Sequence, residues 1–424
     1  MKPMHYLAAT TALTCSISAP ALAQDDTVTL TFYHSHLAYM EPILEGFMES
    51  HPNIVIDQQA PAENYNAGDH SVIRGIMTNS APDVYLPSYA SIPTIAGTLA
   101  ERDRDVSLEP LLAEEGEDWV EENYAESVLE LGQIDGAQYA MPFNASLPLV
   151  YVNADLVEQA GGDIDDFPTT WDGIIELAND INALGDDVSG LTFSVGGLSG
   201  DWYWQMMVLS AGGEMLNEDM TGIGYDNEAG MMALQATQDM AVKTDMEIYA
   251  TPTPGQQKFF AGKLGMVIES PSELVAYEKA IGDRFDLSTE RFPLIVEDGG
   301  LPAGGNALMI LTDDAEKRAA AWEFVKYMTS GETQAEVSKA SGYMPTNKQA
   351  AEALADFYEA NPNFQTVFDS MDAAAPWFAY PNNTAPDIWK GVAPVIDQLQ
   401  RGKVTPEEAM PKLREHVASV LANQ

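Results

Sequence analysis

The sequence predicts an α/β protein of two domains. Three observations lead there. Strand-like and helix-like hydrophobic patterns alternate along the chain. At 424 residues it exceeds the length at which a single core stops growing. Its hydrophobic content of 46% is enough to fill two cores rather than one and a disordered tail.

In chain order, Thr27–Ser35 (TVTLTFYHS) alternates and is rich in β-branched residues, which predicts a strand. Met40, Ile43, Leu44, Phe47 and Met48 follow at helical spacing, until His51-Pro52-Asn53 breaks the run. Ile54-Val55-Ile56 predicts the next strand, Val72, Ile73 and Ile76 a helix, and Asp83–Leu86 a third strand. This βαβαβ start predicts a mostly parallel sheet covered by helices. Pro148–Gly161 reads as strand, turn and short helix. A helix with Ile174, Leu177, Ile181 and Leu184 on one face follows, with Thr169 and Asp172 as its capping pair. Lys263–Ser270 and Asn306–Asp314 are strands, the latter leading into a helix through Trp322, Val325 and Met328. Near the end, Thr405 and Glu408 form a capping box with Pro406 at the first helical position, and Met410, Leu413, Val417 and Val420 face the core. No repeat or low-complexity tether separates the domains, so strands must join them directly.

The first residues predict export. Lys2 supplies a positive start, Tyr6 to Ile17 a mildly apolar stretch, and Ala21-Leu22-Ala23 a small-x-small cleavage site. Residues 1–23 are thus expected to be a signal peptide, with the mature chain starting at Gln24. The sole cysteine, Cys15, lies inside it, and Ala12 and Thr14 do not fit a lipidation site. The mature chain then has no thiol for disulfides, nucleophilic catalysis or metal ligation, which suits a periplasmic protein stabilised by its core.

Charge narrows the function classes. Against 20 Lys and Arg stand 65 Asp and Glu, a formal net charge of −45. Nucleic-acid binding needs basic patches, and anionic lipid would be repelled. The acids are spread along the chain, as on a surface solvated in a salty medium. His34 and His36 would share one face of a strand but lack the further ligands of a zinc site. Asp163-Ile164-Asp165-Asp166 lacks the glycine and terminal Glu of a calcium loop, and Gly197-Leu198-Ser199-Gly200 is no nucleophile elbow, since Asp201 replaces its last glycine. There is no phosphate-binding loop. With carboxylates this abundant, no pair of them marks a glycosidase. The expectation is a protein that is not an enzyme and uses neither cofactor nor metal.

Asp135–Leu156 (DGAQYAMPFNASLPLVYVNADL) places a Gly-x-x-Tyr-x-x-Pro turn before a strand with Tyr-x-Asn. PTTWDGIIELA, Gln257–Ser270 (QKFFAGKLGMVIES), Ala303–Leu311 (AGGNALMIL) and Ser341–Lys348 (SGYMPTNK) follow in order. This series resembles the bacterial extracellular solute-binding proteins that serve ABC importers, and most of all the members that bind sn-glycerol 3-phosphate. The resemblance implies a two-lobed periplasmic binding protein fold (type II) with a ligand cleft between lobes. It implies residues 24–145 plus 296–335 in one lobe and 146–295 plus 336–424 in the other. It also implies a monomer that delivers its solute to an ABC permease and ATPase.

Carried over residue by residue, the resemblance implies a cleft lined by Tyr65, Ser146, Ser270, Gly304, Gly305 and Tyr343. Trp202 and Trp204 stand where the family has tryptophans, while Tyr203, Met206 and Met207 share the face expected to be buried. Flat aromatic walls suit the C–H faces of sugars and polyols. Two positions depart from the glycerol-phosphate pattern. Tyr89 stands in place of a ligand glutamate, and Pro376–Lys390 (PWFAYPNNTAPDIWK) has no arginine for a phosphate. Tyr380 and Asn383 suit neutral hydroxyls instead. The expected ligand is a small carbohydrate or polyol derivative. The alternative is sn-glycerol 3-phosphate or a glycerophosphodiester, with Arg74 or Lys390 as substitute cation. A secreted carbohydrate-active enzyme is the alternative from another class.

Overall fold

The structure is a computed structural model that describes residues 27–35, 39–63, 65–195 and 201–423. The expected signal peptide, His36 and the Gly197–Gly200 stretch lie outside the described residues, as does the side chain of Asn383.

Among the described residues, nine strands form the two main sheets: β1 (Val28–His34), β2 (Ile54–Gln58), β3 (Val84–Leu86), β4 (Met141–Ser146), β5 (Leu149–Asn153), β6 (Ser189–Thr192), β7 (Leu264–Glu269), β8 (Leu287–Arg291) and β9 (Gly304–Ile310). The first sheet has the order β2-β1-β3-β9-β4 and the second β8-β5-β7-β6. The pairings β1–β2, β1–β3 and β6–β7 are parallel, whereas β3–β9, β4–β9, β5–β7 and β5–β8 are antiparallel. The sheets are therefore mixed, which corrects the expectation of mostly parallel ones. The cause is connectivity. The chain leaves the first sheet through β4 and returns through β9, so these neighbours run in opposite directions.

Helices pack on both faces of each sheet, most completely over the central strands; edge strand β2 keeps Val55 and Asp57 exposed. Every residue of β5 is buried. Because successive side chains point to opposite faces, Leu149 and Tyr151 enter one core with Phe259, Val267 and Tyr277. Val150 and Val152 enter the other, with Ile174, Ile181 and Met266. The first sheet buries Leu30, Phe32 and Val84 against Phe47 of helix Met40–Ser50 and Phe324 of helix Ala315–Met328. Its other face meets Val72 and Ile76 of helix Tyr65–Thr78.

The elements that position the cleft are capped as the sequence suggests, with one shift. Helix Trp171–Asn182 is capped by Thr170, whose hydroxyl accepts from the Gly173 N–H at 3.3 Å, not by Thr169. Thr405 and Glu408 form the full capping box of helix Pro406–Leu421. After β9 and helix Ala315–Met328 the chain crosses once more. Helix Gly331–Ser341 contributes Val337 to the core of the first sheet and Ala335 to that of the second. Among the described residues no helix is long and apolar enough to cross a membrane.

Candidate functional site: a cleft between the sheets

The ends of β4, β7 and β9 border a cavity of about 630 Å³, within the range of small-molecule sites. The first-sheet side supplies Tyr65 and Asp69 from helix Tyr65–Thr78, and Ser88 and Ser91 beyond β3. The second supplies Trp202 and Tyr203 from the start of helix Trp202–Ser210, Glu269 from the end of β7, and Ser270 and Ser272 beyond it. Trp377, Phe378 and Tyr380 close one end.

Of the expected positions, Tyr65, Ser146, Trp202, Ser270, Gly304, Gly305, Tyr343 and Tyr380 line this cavity. Tyr65 donates to Asn306 Oδ1 at 3.2 Å. Ser270 caps the short turn that follows β7 and receives the Ser272 hydroxyl at 2.9 Å. The two glycines are there because side chains would not fit. A Cβ at Gly304 would lie 2.8 Å from Ser146 Oγ and 3.2 Å from the Trp202 ring. Gly305 has φ +121°, and a Cβ there would fall on the Asn144 carbonyl.

Two placements are corrected. Tyr89 does not line the cavity: it is buried and donates to the Asn144 carbonyl at 2.9 Å. It braces a polar network instead, in which Asn144 Oδ1 accepts from the Asn306 N–H at 2.9 Å. Trp204 does not line it either. It is 1% exposed and meets Tyr225 edge-on, with ring centroids 5.5 Å apart. Helix geometry explains this, since positions two apart point about 200° away from each other. With Trp202 in the cavity, Trp204 must face the core. Tyr203, expected in the core, reaches the cavity and donates to Glu269 Oε2 at 3.2 Å.

His34 offers no open metal position: it is buried, and its Nε2 lies 2.7 Å from the Gln58 amide. No group of three or more metal-ligating side chains occurs among the described residues.

Sequence reasoning passed over the acids and half of the aromatic wall. Asp69 receives the Tyr85 hydroxyl at 2.8 Å and the Ser91 hydroxyl at 2.6 Å, and burial raises its pKa. Burial also pushes the Asp201 carboxyl up to about 6, and Glu269, with Glu273 nearby, up to about 7. Gln205, fully buried, joins the cavity's closed end to the helix. Its Nε2 donates to Asp201 Oδ2 at 2.7 Å and to the Phe378 carbonyl at 3.0 Å, and its Oε1 accepts from the Phe378 N–H at 3.0 Å. The signal for Trp377 and Phe378 was present in PWFAYPNN. Asp201 stands directly before the helix, but one acid among 65 draws no attention.

Two covered sheets with a lined cavity between them define a receptor-type fold. The family model for bacterial extracellular solute-binding proteins matches residues 35–335, and the chain belongs to that family. The sn-glycerol-3-phosphate-binding periplasmic protein UgpB of Escherichia coli (strain K12) is 22% identical over 433 residues, covering 97% of this chain and 95% of that protein. A Brucella abortus (strain 2308) protein is 27% identical over 241 residues. UgpB of Rhizobium meliloti (strain 1021) is 24% identical over 259 residues. The chain spans 57% of the length of each of these two. Among solved structures, UgpB from Mycobacterium tuberculosis in complex with glycerophosphocholine superposes with TM-score 0.80 at 18% identity, covering 94% of this chain and 99% of that one. The cyclic α-maltosyl-1,6-maltose binding protein from Arthrobacter globiformis does so with TM-score 0.76 at 21% identity, covering 94% and 100%. At these identities the structural likeness establishes the two-lobed fold.

Proposed function

We propose that this protein is the periplasmic receptor of an ABC importer, capturing a small carbohydrate or polyol derivative and presenting it to the membrane permease. The lobes are residues 24–145 plus 296–335 and 146–295 plus 336–424. The observation that carries the reading is the cleft lining. Aromatic side chains of Trp202, Trp377 and Tyr380 share one lining with Ser146, Ser270 and Tyr343. Ring faces pack against C–H surfaces while hydroxyls and backbone groups bond to the ligand's own hydroxyls. A ligand touching both lobes favours the closed form by its extra contacts there, and the closed form is what the permease engages. No step requires a catalytic group, so solute is released unchanged.

The glycerophosphate alternative is disfavoured by the same lining. Neither Arg74 nor Lys390 borders the cavity, and no other lysine or arginine does among the described residues. The first turn of helix Ala385–Gln400 reaches the cavity with Pro386, which has no N–H to offer an anion. A phosphate enclosed beside three carboxylates without a cation would be costly.

The test is a thermal-shift screen of the chain from Gln24 onward. The panel holds mono- and disaccharides, glycosyl glycerols, polyols, sn-glycerol 3-phosphate and glycerophosphodiesters. A selective rise with a sugar or polyol supports the reading. A selective rise with sn-glycerol 3-phosphate overturns the ligand class, and turnover of an oligosaccharide overturns the receptor role.

A further inference from the structure

One end of the cavity is an aromatic corner with a carboxylate in it. The rings of Trp202 and Trp377 have centroids 6.2 Å apart and planes tilted by 42°. Phe378 and Tyr380 stand edge-to-face beside them, centroids 5.3 Å apart. Asp201 lies against Trp377 and lines the same space. Gln205 holds the corner together by bonding both Asp201 and the backbone of Phe378.

The charge around this corner is of one sign. Asp69, Asp201 and Glu269 border the cavity, and none of them pairs with a lysine or arginine among the described residues. The one basic side chain on the described wall is His70, next to Asp69 and exposed to solvent. Carboxylates half withdrawn from water need a counter-charge or a proton. Hydroxyl donors hold Asp69, and an amide donor holds Asp201, but neither cancels a charge. Beside a neutral sugar that charge would be met only by protons, which the raised pKa values of Asp69, Asp201 and Glu269 reflect. An ammonium group would compensate it, and an alkylated one would also gain from ring faces, whose negative quadrupole attracts cations that are weakly hydrated.

We propose that the solute carried by this receptor bears an alkylated ammonium group, seated in the corner of Trp202 and Trp377 with Asp201 as its counter-ion. The inference rests on the receptor reading and specifies one end of its ligand. The polyol or sugar part then extends toward Ser146, Ser270 and Tyr343. Gln205 is a positioning residue here, since it reaches the ligand only through Asp201 and Phe378.

The experiment is calorimetric titration with choline and tetramethylammonium, set against 3,3-dimethylbutan-1-ol, the uncharged shape-mate of choline. The two cations should bind at least about 10-fold tighter than the neutral alcohol, a difference of about 1.4 kcal/mol. Asp201→Asn should remove that difference while leaving the melting temperature within a few degrees of the wild type. Gln205→Leu, which removes the donor to Asp201 and both bonds to the Phe378 backbone, should weaken both cations in parallel. Equal binding of the alcohol and choline overturns the proposal, as does an Asp201→Asn variant that keeps full preference for the cation. So does an absence of cation binding at 10 mM while neutral sugars or polyols shift the melting temperature, an outcome that leaves the receptor standing. If neither cations nor any member of the sugar, polyol and phosphate panel binds, the receptor reading fails with it.

Discussion

The indole N–H of Trp202 donates to the carbonyl of Pro302 at 2.8 Å. Trp202 begins helix Trp202–Ser210, and Pro302 lies on the segment returning to the first sheet. The bond fixes which way the ring faces, and it turns the ring toward the cavity at Gly304. Trp204, on the opposite side of the same helix, has no such role. Trp202→Ala should weaken ligand binding by about 10–100-fold, the scale of a lost aromatic anchor, and because the ring is only 6% exposed it should also lower stability. Trp204→Ala should instead cost about 3–5 kcal/mol of stability and leave affinity nearly intact. Urea unfolding and equilibrium titration on the two variants separate these effects.

Gly304 and Gly305 should respond differently to the same substitution. Gly305→Ala puts a side chain into positive φ and onto the backbone of Asn144, so it should destabilise the fold by about 2–4 kcal/mol. Gly304→Ala crowds Ser146 Oγ and the Trp202 ring, which can shift into the cavity. Its main effect should be on affinity, with the melting temperature lowered less than in Gly305→Ala. Equal loss of stability in both would contradict the assignment.

Asp83 ties the first sheet to helix Ala315–Met328. It accepts from the Thr31 N–H at 2.9 Å, the Thr31 hydroxyl at 2.8 Å and Lys317 Nζ at 2.8 Å. Burial alone would raise its pKa, but Lys317 and Thr31 outweigh burial and hold it below the usual value. Its stabilising contribution is therefore present above the unfolded carboxyl range near about pH 4 and is lost as pH falls through the lower folded value. Asp83→Ala should lower stability at neutral pH by about 2–3 kcal/mol, read from the urea midpoint. An unchanged midpoint would show that the network contributes nothing.

Glu269 has the opposite sign. Its folded pKa of about 7 lies above the unfolded value. Between the two, the folded protein takes up the proton more readily, so this group stabilises the ligand-free protein as pH falls from 7.5 toward 5. Glu269→Gln should raise the melting temperature at pH 7.5 by about 2 °C or more and flatten its dependence on pH over that range. A variant whose curve runs parallel to the wild type would mean that Glu269 does not titrate there.

Strand and helix positions were legible because burial follows period. Leu30 and Phe32 alternate into the core, and Met40, Ile43, Leu44 and Phe47 recur on one helix face. The capping box at Thr405 was legible because its chemistry is local. Strand direction was not, since β4 and β9 are neighbours only through a return path longer than 150 residues. Trp202 and Trp204 are equal in composition and differ only in rotation about a helix axis, which needs one fixed contact, Pro302, to be set. Asp201 and Glu269 differ from the other acids solely by the surface they meet.

The place of Trp202 in the wall of the ligand cleft is tested most directly by equilibrium titration of wild type, Trp202→Ala and Trp204→Ala with the best compound from the thermal-shift screen. The expected result is wild-type affinity for Trp204→Ala and a loss of about 10–100-fold for Trp202→Ala, both measured under conditions where the variants remain folded. Full affinity in Trp202→Ala would contradict it and move the binding site away from this cleft.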